Sequence, residues 1–139
     1  MINNAISEFE NLLICCKFLE GLIIDISDAF SSMFNWDKLF EILTKSSPIG
    51  LFRFKFLFCV AIKVESLKLF FDNWKEREPI LLELINNNDH TVAVNVEELQ
   101  KLEDLTKKYK EEGIIKQYSI GVGGYIYDNF EWISYEYDE

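Results

Sequence analysis

Apolar and charged residues alternate along residues 51–58, and this stretch shows the clearest pattern in the chain. Phenylalanine occupies every second position, at Phe52, Phe54, Phe56 and Phe58. A period of two is typical of a β-strand with one buried face. The pattern therefore predicts a strand at Leu51–Phe58, and runs rich in leucine and isoleucine predict further strands at Leu19–Asp25, Ile80–Ile85 and Ile114–Ile120.

Between these strands, apolar residues recur every three or four positions, which is typical of a helix with one buried side. The spacing predicts four helices: Ala5–Cys16, Trp36–Lys45, Val64–Arg77 and Val96–Glu112. Leu12 and Val96 are among the residues expected on the buried sides. Pro48, Pro79 and Gly113 fall between predicted elements, where they favour breaks in the chain.

Helix and strand recur as units of nearly constant length. The strand anchors are Leu22-x-Ile24, Phe52-x-Phe54 and Leu82-x-Leu84, spaced 30 and 30 residues apart, with a looser fourth unit at Ile115, 33 residues further on. Leu19 and Ile49 add an apolar residue three positions before the first two anchors. A period in this range with one helix and one strand per unit favours a leucine-rich-repeat architecture.

The expected fold is therefore α/β. It is a leucine-rich-repeat-like solenoid of about four helix–strand units, with a parallel sheet and the helices on one face, because stacked units bury a shared core. The alternative is a compact α/β sandwich whose regularity is accidental. We expect residues 1–120 to form the repeat domain and residues 121–139 to form an acidic aromatic tail or cap.

Composition narrows the classes of function. The chain has 139 residues with 49% hydrophobic residues, enough for one domain with a continuous core. Its 14 basic and 24 acidic residues give a net charge of −10, which argues against nucleic acid and anionic membranes as partners. The tail could alternatively dock onto a basic partner. The longest apolar run, Phe56–Ile62, is too short to cross a bilayer.

Candidate catalytic and metal-binding residues are sparse. His90 is the single histidine and falls in a predicted loop, so no catalytic dyad or triad is indicated. Cys15, Cys16 and Cys59 lack the spacing of a zinc site and are expected to pack as small hydrophobic residues. Gly121–Gly124 lacks the lysine of a phosphate-binding loop. We expect a non-enzymatic cytoplasmic or nuclear protein with no cofactor and no metal.

The residues between the strand anchors are the candidate binding residues. In stacked repeats they face the concave side of the sheet, where they would form an exposed ladder suited to a protein partner. They are Ile23, Asp25, Arg53, Lys55 and Glu83.

Three segments carry a resemblance to a known family. Residues 12–24 resemble the helix-Cys-x-x-Leu-x-x-Leu-x-Ile unit of F-box-type leucine-rich-repeat proteins. Residues 64–77 and 105–116 are similar to segments that recur near the carboxyl end of an expanded set of fungal F-box/leucine-rich-repeat proteins. The match spans about residues 5–120, and the order and separation of its segments agree.

The resemblance implies substrate recognition for a ubiquitin ligase, in which an F-box recruits a Skp1-type adaptor and the repeats hold the target protein. The first helix of this chain already belongs to a repeat unit, so the chain is expected to lack the F-box and to bind the adaptor only if one lies upstream. The alternative function is a stand-alone acidic binder, such as an immunity-type protein that neutralises a basic partner.

Overall fold

A computed structural model of the protein describes residues 2–26, 34–58, 62–86 and 96–122. Within these ranges, four helices alternate with four strands. They are α1 (Ile2–Cys15), β1 (Gly21–Asp25), α2 (Trp36–Ser46), β2 (Arg53–Phe58), α3 (Val64–Asp72), β3 (Ile80–Asn86), α4 (Val96–Glu111) and β4 (Ile115–Val122).

The strands form one parallel sheet in the order β1-β2-β3-β4. The prediction that successive strands are parallel neighbours is confirmed, and the fold is α/β with four helices and a four-stranded parallel sheet. Each helix contacts the helix that follows it in sequence. Consecutive helix–strand units therefore lie side by side across the molecule.

One hydrophobic core joins all four helices to a single face of the sheet. Alternate residues of each strand enter it, represented by Leu22, Phe54, Leu82 and Tyr118, which are register partners from β1 to β4. Aromatic rings fill its centre: Phe54 lies 5.4 Å edge-on from Trp74, measured between ring centroids. Such pairs add about 0.5–1.5 kcal/mol each beyond the burial of their area.

The register of the second unit differs from the sequence-based anchor by two residues. Leu22 pairs with Phe54, and Phe54 pairs with Leu82, so the prediction of Phe52 as the anchor is wrong. A shift of two residues keeps the same side chains on the same face, which is why the predicted faces of the strand still hold.

The corrected register also moves the apolar position that precedes the anchor. Leu51 is fully buried and stands three residues before Phe54, as Leu19 stands three residues before Leu22. Ile49 is 90% exposed, so its predicted inward role is wrong. The aligned pattern is Leu19-x-x-Leu22-x-Ile24, Leu51-x-x-Phe54-x-Phe56 and, in β4, Ile115-x-x-Tyr118-x-Ile120.

Helix α3 ends at Asp72, five residues earlier than predicted, because the chain turns there and brings a side chain to the carboxyl end of α2. The turn contains Glu76 with a φ of 72°, in the left-handed region. The next residue, Arg77, donates hydrogen bonds of 2.9–3.0 Å to the backbone carbonyls of Thr44, Ser47 and Pro48. Its guanidinium carbon also lies 4.1 Å from the ring centroid of Trp74.

Several predicted inward residues are exposed at the two ends of the row of helices. Leu12 on α1 is 47% exposed, and Val96, the first residue of α4, is 72% exposed. Each of these helices has a helical neighbour on one side only within the described chain, so part of its apolar side faces outward. Cys15 is also exposed, so the expectation that it packs as a small hydrophobic residue is wrong.

Strand β4 extends two residues beyond the predicted strand Ile114–Ile120. Strand β4 continues through Gly121 and Val122, so the predicted domain boundary after residue 120 falls inside it. His90, Cys59, Gly123, Gly124 and the acidic aromatic residues 125–139 lie outside the described residues.

Candidate functional site

The sheet face opposite the helices carries the candidate binding residues, and we call it the strand face. Successive side chains on a strand point to opposite sides, so the residues that alternate with the core positions lie here. They are Ile23, Asp25, Arg53, Lys55, Leu57, Leu81, Glu83, Ile85, Gln117 and Ser119. The structure therefore brings all five predicted residues onto one surface.

The parallel register arranges this face in rows across the strands. The middle row runs Ile23, Lys55, Glu83, Ser119 from β1 to β4. Neighbouring strands lie about 4.8 Å apart, so the members of a row are direct neighbours. Lys55 and Glu83 consequently form an ion pair, with 3.9 Å between Nζ and Oε1.

Burial divides the strand face into a centre and a margin. On β2 and β3, Lys55, Leu57 and Leu81 are at most 1% exposed. Asp25 on β1 and Gln117 and Ser119 on β4 are exposed. The expectation of a fully exposed ladder is therefore wrong for its central member, Lys55, and holds for Asp25.

The sequence contained a signal for the burial of Leu57 and Leu81 that the alternating pattern obscured. Residues 80–82 are Ile-Leu-Leu and residues 56–58 are Phe-Leu-Phe, so both strands carry consecutive apolar residues. Uninterrupted apolar runs are typical of parallel strands that are buried on both faces. Leu57 and Leu81 are the members of those runs that point to the strand face, and they extend the candidate site beyond the predicted residues.

Arg53 stands beside the buried centre in a position fixed by neighbouring groups. Its guanidinium lies 4.7 Å from the centroid of the Phe52 ring, and Nη1 is 3.7 Å from Oε1 of Glu20. Only 16% of the Arg53 side chain is exposed, whereas 64% of Glu20 is. A held guanidinium at the edge of an apolar surface suits recognition of a carboxylate or a carbonyl.

Two further features lie on the helical side. A groove of about 670 Å³ between α2 and α3 is flanked by Lys38, Glu41 and Lys45. Both lysines lie 3.3 Å from the Glu41 carboxylate, and their hydrogen bonds, first from Lys45 and then from Lys38, lower the pKa of Glu41. These three charges pair with one another at the surface.

The second feature links α3 to α4 through Asp72. The Tyr109 hydroxyl and the Lys68 ammonium donate hydrogen bonds to its two carboxylate oxygens. These bonds, with that from Tyr109 the larger influence, hold the pKa of Asp72 below its usual range. Burial, and then the bond to Asp72, raise the pKa of Tyr109. The hydrogen bond from Tyr109 to Asp72 thus connects α4 to α3.

Within residues 2–26, 34–58, 62–86 and 96–122, no group of three or more His, Cys, Asp or Glu side chains is placed to hold a metal ion. In the same part of the chain, no helix combines the length and the apolar character needed to cross a membrane. The strand face is therefore the surface that collects the largest number of candidate binding residues.

Comparison with known proteins gave no match: no family model, no curated protein and no solved structure matches this chain.

Proposed function

We propose that this protein is a leucine-rich-repeat-type module that binds a protein partner through its strand face, in the manner of the substrate-recognition repeats of F-box ubiquitin-ligase receptors. The observation that carries the proposal is the repeat in the observed register. The spacing apolar-x-x-apolar-x-apolar recurs at Leu19 and Leu51, each two residues before its strand, and at Ile115, the first residue of β4; Pro79 takes the corresponding position before β3.

The one-sided placement of the helices supports this function. Because all four helices pack on the opposite face, the strand residues present a surface whose backbone is fixed by the sheet. A partner that binds a pre-ordered surface loses less of its binding free energy to ordering the receptor. The strand face mixes apolar, basic, acidic and hydroxyl side chains, a composition that suits a protein surface better than a polyphosphate backbone.

The accessible margin is where a partner makes its first contacts. Asp25 and Ser119 are exposed at opposite sides of the sheet, with Ile23 partly buried beside Asp25. The margin is thus a pair of polar borders around a buried centre, which combines Leu57 and Leu81 with the Lys55–Glu83 ion pair.

A site-specific photo-crosslinker tests the assignment. Benzoylphenylalanine placed at Ser119 should form an adduct with a defined protein in extracts of the source cell, and the same probe at Gln117 should capture the same protein. The matched control is Gln100, which is exposed on α4. Equal capture from Gln100, or none from either strand-face position, contradicts binding through this face.

A further inference from the structure

Strand β1 forms one edge of the sheet, and part of its backbone points away from the sheet. Within the described ranges it pairs with β2 alone. The Glu20 carbonyl accepts a hydrogen bond from the first residue of β2, and the Ile26 amide donates to the Leu57 carbonyl. Successive residues of a parallel strand bond to opposite sides, so the even-numbered residues of β1 bond β2. The backbone N–H and C=O groups of Gly21 and Ile23 therefore point outward.

The sequence of β1 has few of the features that keep an edge strand from pairing with another chain. Natural edge strands are protected by charged side chains, by proline or by a bulge. The first four residues of β1, Gly-Leu-Ile-Ile, include no charge and no proline, and the pairing of β1 with β2 has no register shift. The outer side of β1 can therefore accept a further strand.

The helix beside this edge carries an apolar residue on its outer flank. Glu10 of α1 faces α2, since its Oε2 accepts a hydrogen bond of 3.1 Å from Ser46 Oγ. Leu12 follows two residues later, about 200° around the helix, so it lies on the flank away from α2. Leu12 is 47% exposed. The core positions of β1, Leu22 and Ile24, are only partly buried, whereas their register partners on β2 are fully buried.

The opposite end of the sheet, at β4, has a different chemistry. Lys110 of α4 lies over that strand, because its Nζ donates a hydrogen bond of 3.1 Å to Gln117 and lies 5.9 Å from the ring centroid of Tyr118. Helix α4 has nine charged residues, whereas α1 has two, Glu8 and Glu10. The apolar end of the molecule is therefore the one formed by β1 and α1.

A second copy of the chain matches this edge when it is turned by half a revolution about an axis through Ile23, perpendicular to the sheet. The two β1 strands are then antiparallel, and Ile23 lies opposite its own copy. Two opposed residues whose N–H and C=O groups point at each other exchange two hydrogen bonds. In the same register, Leu22 of each copy lies opposite Ile24 of the other, so apolar side chains meet on the helical face.

The size and the charge of this flank suit contact between two copies. Helix α1 has 14 residues and is about 21 Å long, and the strand with the helix above it is about 20 Å deep. Two such flanks together reach the roughly 1,000 Å² of buried surface that a specific interface needs. Each chain has a net charge of −10, so copies repel each other least where few charges meet.

We propose that two copies of this chain associate through β1 and the outer flank of α1, around a two-fold axis at Ile23. The two four-stranded sheets join into one sheet, with the helices of both copies on one side. The strand faces of both copies then form one continuous surface on the other side. This association goes beyond the proposed function, because it is made at the edge of the sheet and requires no partner protein.

Sedimentation equilibrium on the full chain tests the association. Over a range of concentrations, the natural chain should show a reversible equilibrium between monomer and dimer. Ile23→Lys should weaken the dimer about tenfold or more, because the two-fold axis sets the two new charges opposite each other. Ile23→Leu keeps an apolar side chain and should change the dissociation constant by less than about threefold. A monomer at every concentration, an open-ended series of larger species, or equal dissociation constants for the two variants overturns the proposal.

A second pair of variants tests the helical part of the interface. Leu12→Lys should weaken the dimer about tenfold, because it places a charge on the apolar flank of α1 in both copies. Leu69→Lys is the matched control, since Leu69 is a leucine on α3 that is 54% exposed. It lies away from the β1 edge and should leave the dissociation constant unchanged. Equal weakening by the two substitutions contradicts the proposed interface.

Amide hydrogen exchange followed by NMR locates the contact on β1. The Ile23 amide should exchange more slowly as the protein concentration rises, because the second copy accepts its hydrogen bond. Exchange of this amide that is independent of concentration, in a sample that dimerises, overturns the proposal. A dimer without any adduct from Ser119 or Gln117 would reject the proposed function alone, and a monomer that still gives the adduct would reject the dimer alone.

Discussion

The two faces of the sheet are both buried at β2 and β3, but their side chains differ in chemistry. The helical face presents Phe54, Phe56 and Leu82 to a dense layer of rings from α2 and α3. The strand face presents Lys55 and Glu83 together with two leucines. The first face is stabilised by apolar burial that any apolar residue of similar volume could supply. The second depends on an ion pair kept from water, which tolerates change far less well.

The difference also shows which face can serve recognition. A core made of interdigitated aromatic rings is closed permanently, since opening it would expose a large apolar area. A face that combines charges with a modest apolar patch exposes less apolar area when it is opened. The strand face therefore suits the proposed binding function better than the helical face does.

The sharpest test of this comparison is a charge reversal at the buried centre. Lys55→Glu should lower the free energy of unfolding by about 5 kcal/mol, because it breaks a buried ion pair and sets a carboxylate beside Glu83. Gln117→Glu, exposed on the same face beside Leu81, should change it by less than about 0.5 kcal/mol. Urea unfolding followed by circular dichroism gives both values. A Lys55→Glu variant as stable as the natural chain would show that this side chain is accessible in solution.

The next test concerns the register on the helical face. Phe54→Ala should cost about 4 kcal/mol, since Phe54 is fully buried and contacts the rings of Phe70 and Trp74. Ile49→Ala should cost less than about 0.5 kcal/mol, because Ile49 is 90% exposed. Similar losses in the two variants would instead support the sequence-based alignment that placed Ile49 inward.

These residues show how far the sequence could be interpreted. The four-phenylalanine run fixed which face of β2 is buried, but Phe52 and Phe54 fit a period of two equally well, so the alternation could not choose the anchor. The preceding apolar residue could not choose either, because Ile49 stands three positions before Phe52 just as Leu51 stands three positions before Phe54. The pairing of β2 with its two neighbouring strands decides it.

The burial of Lys55 could not be predicted in the same way. A lysine between two phenylalanines has the pattern of a solvated face, and only contacts with distant parts of the chain remove it from water. The early end of α3 has a similar cause. The helical spacing continues to Trp74, while Arg77 is needed at the carboxyl end of α2, a contact that spans 33 residues. Local periodicity carries no information about such distant partners.

The third prediction probes that contact. Arg77→Lys keeps the positive charge but cannot donate to three carbonyls and lie flat on Trp74 at once. It should lower the free energy of unfolding by about 2 kcal/mol, because hydrogen bonds from a charged donor to part-buried carbonyls are lost. The exposed Lys75→Met serves as the control and should change stability by less than about 0.5 kcal/mol. Equal losses of stability in the two variants would mean that the hydrogen bonds of the Arg77 guanidinium do not stabilise the contact between this turn and α2.

The smallest expected effect lies between α3 and α4, away from either face of the sheet. Tyr109→Phe removes the hydroxyl that donates to Asp72 and should cost about 1 kcal/mol near neutral pH. The pKa of Asp72 is lowered in the folded protein, so its contribution is present above the unfolded pKa and is lost as the pH falls through the folded value. The pKa of Tyr109 is raised, so its contribution is lost as the pH rises through that folded value.

The difference between the natural chain and Tyr109→Phe should therefore be largest near neutral pH and shrink in both acid and alkali. Urea midpoints measured across the pH range test this shape. Tyr118→Phe removes a hydroxyl from β4 that does not bond Asp72, and it should give a smaller difference that stays flat in acid. It controls the acid range only, because burial and nearby carboxylates raise the pKa of Tyr118 as well. A hydrogen bond between Tyr109 and an ionised Asp72 is lost when either partner titrates. If the difference in free energy of unfolding between the natural chain and Tyr109→Phe stays constant from acid to alkali, the hydroxyl contributes by packing alone.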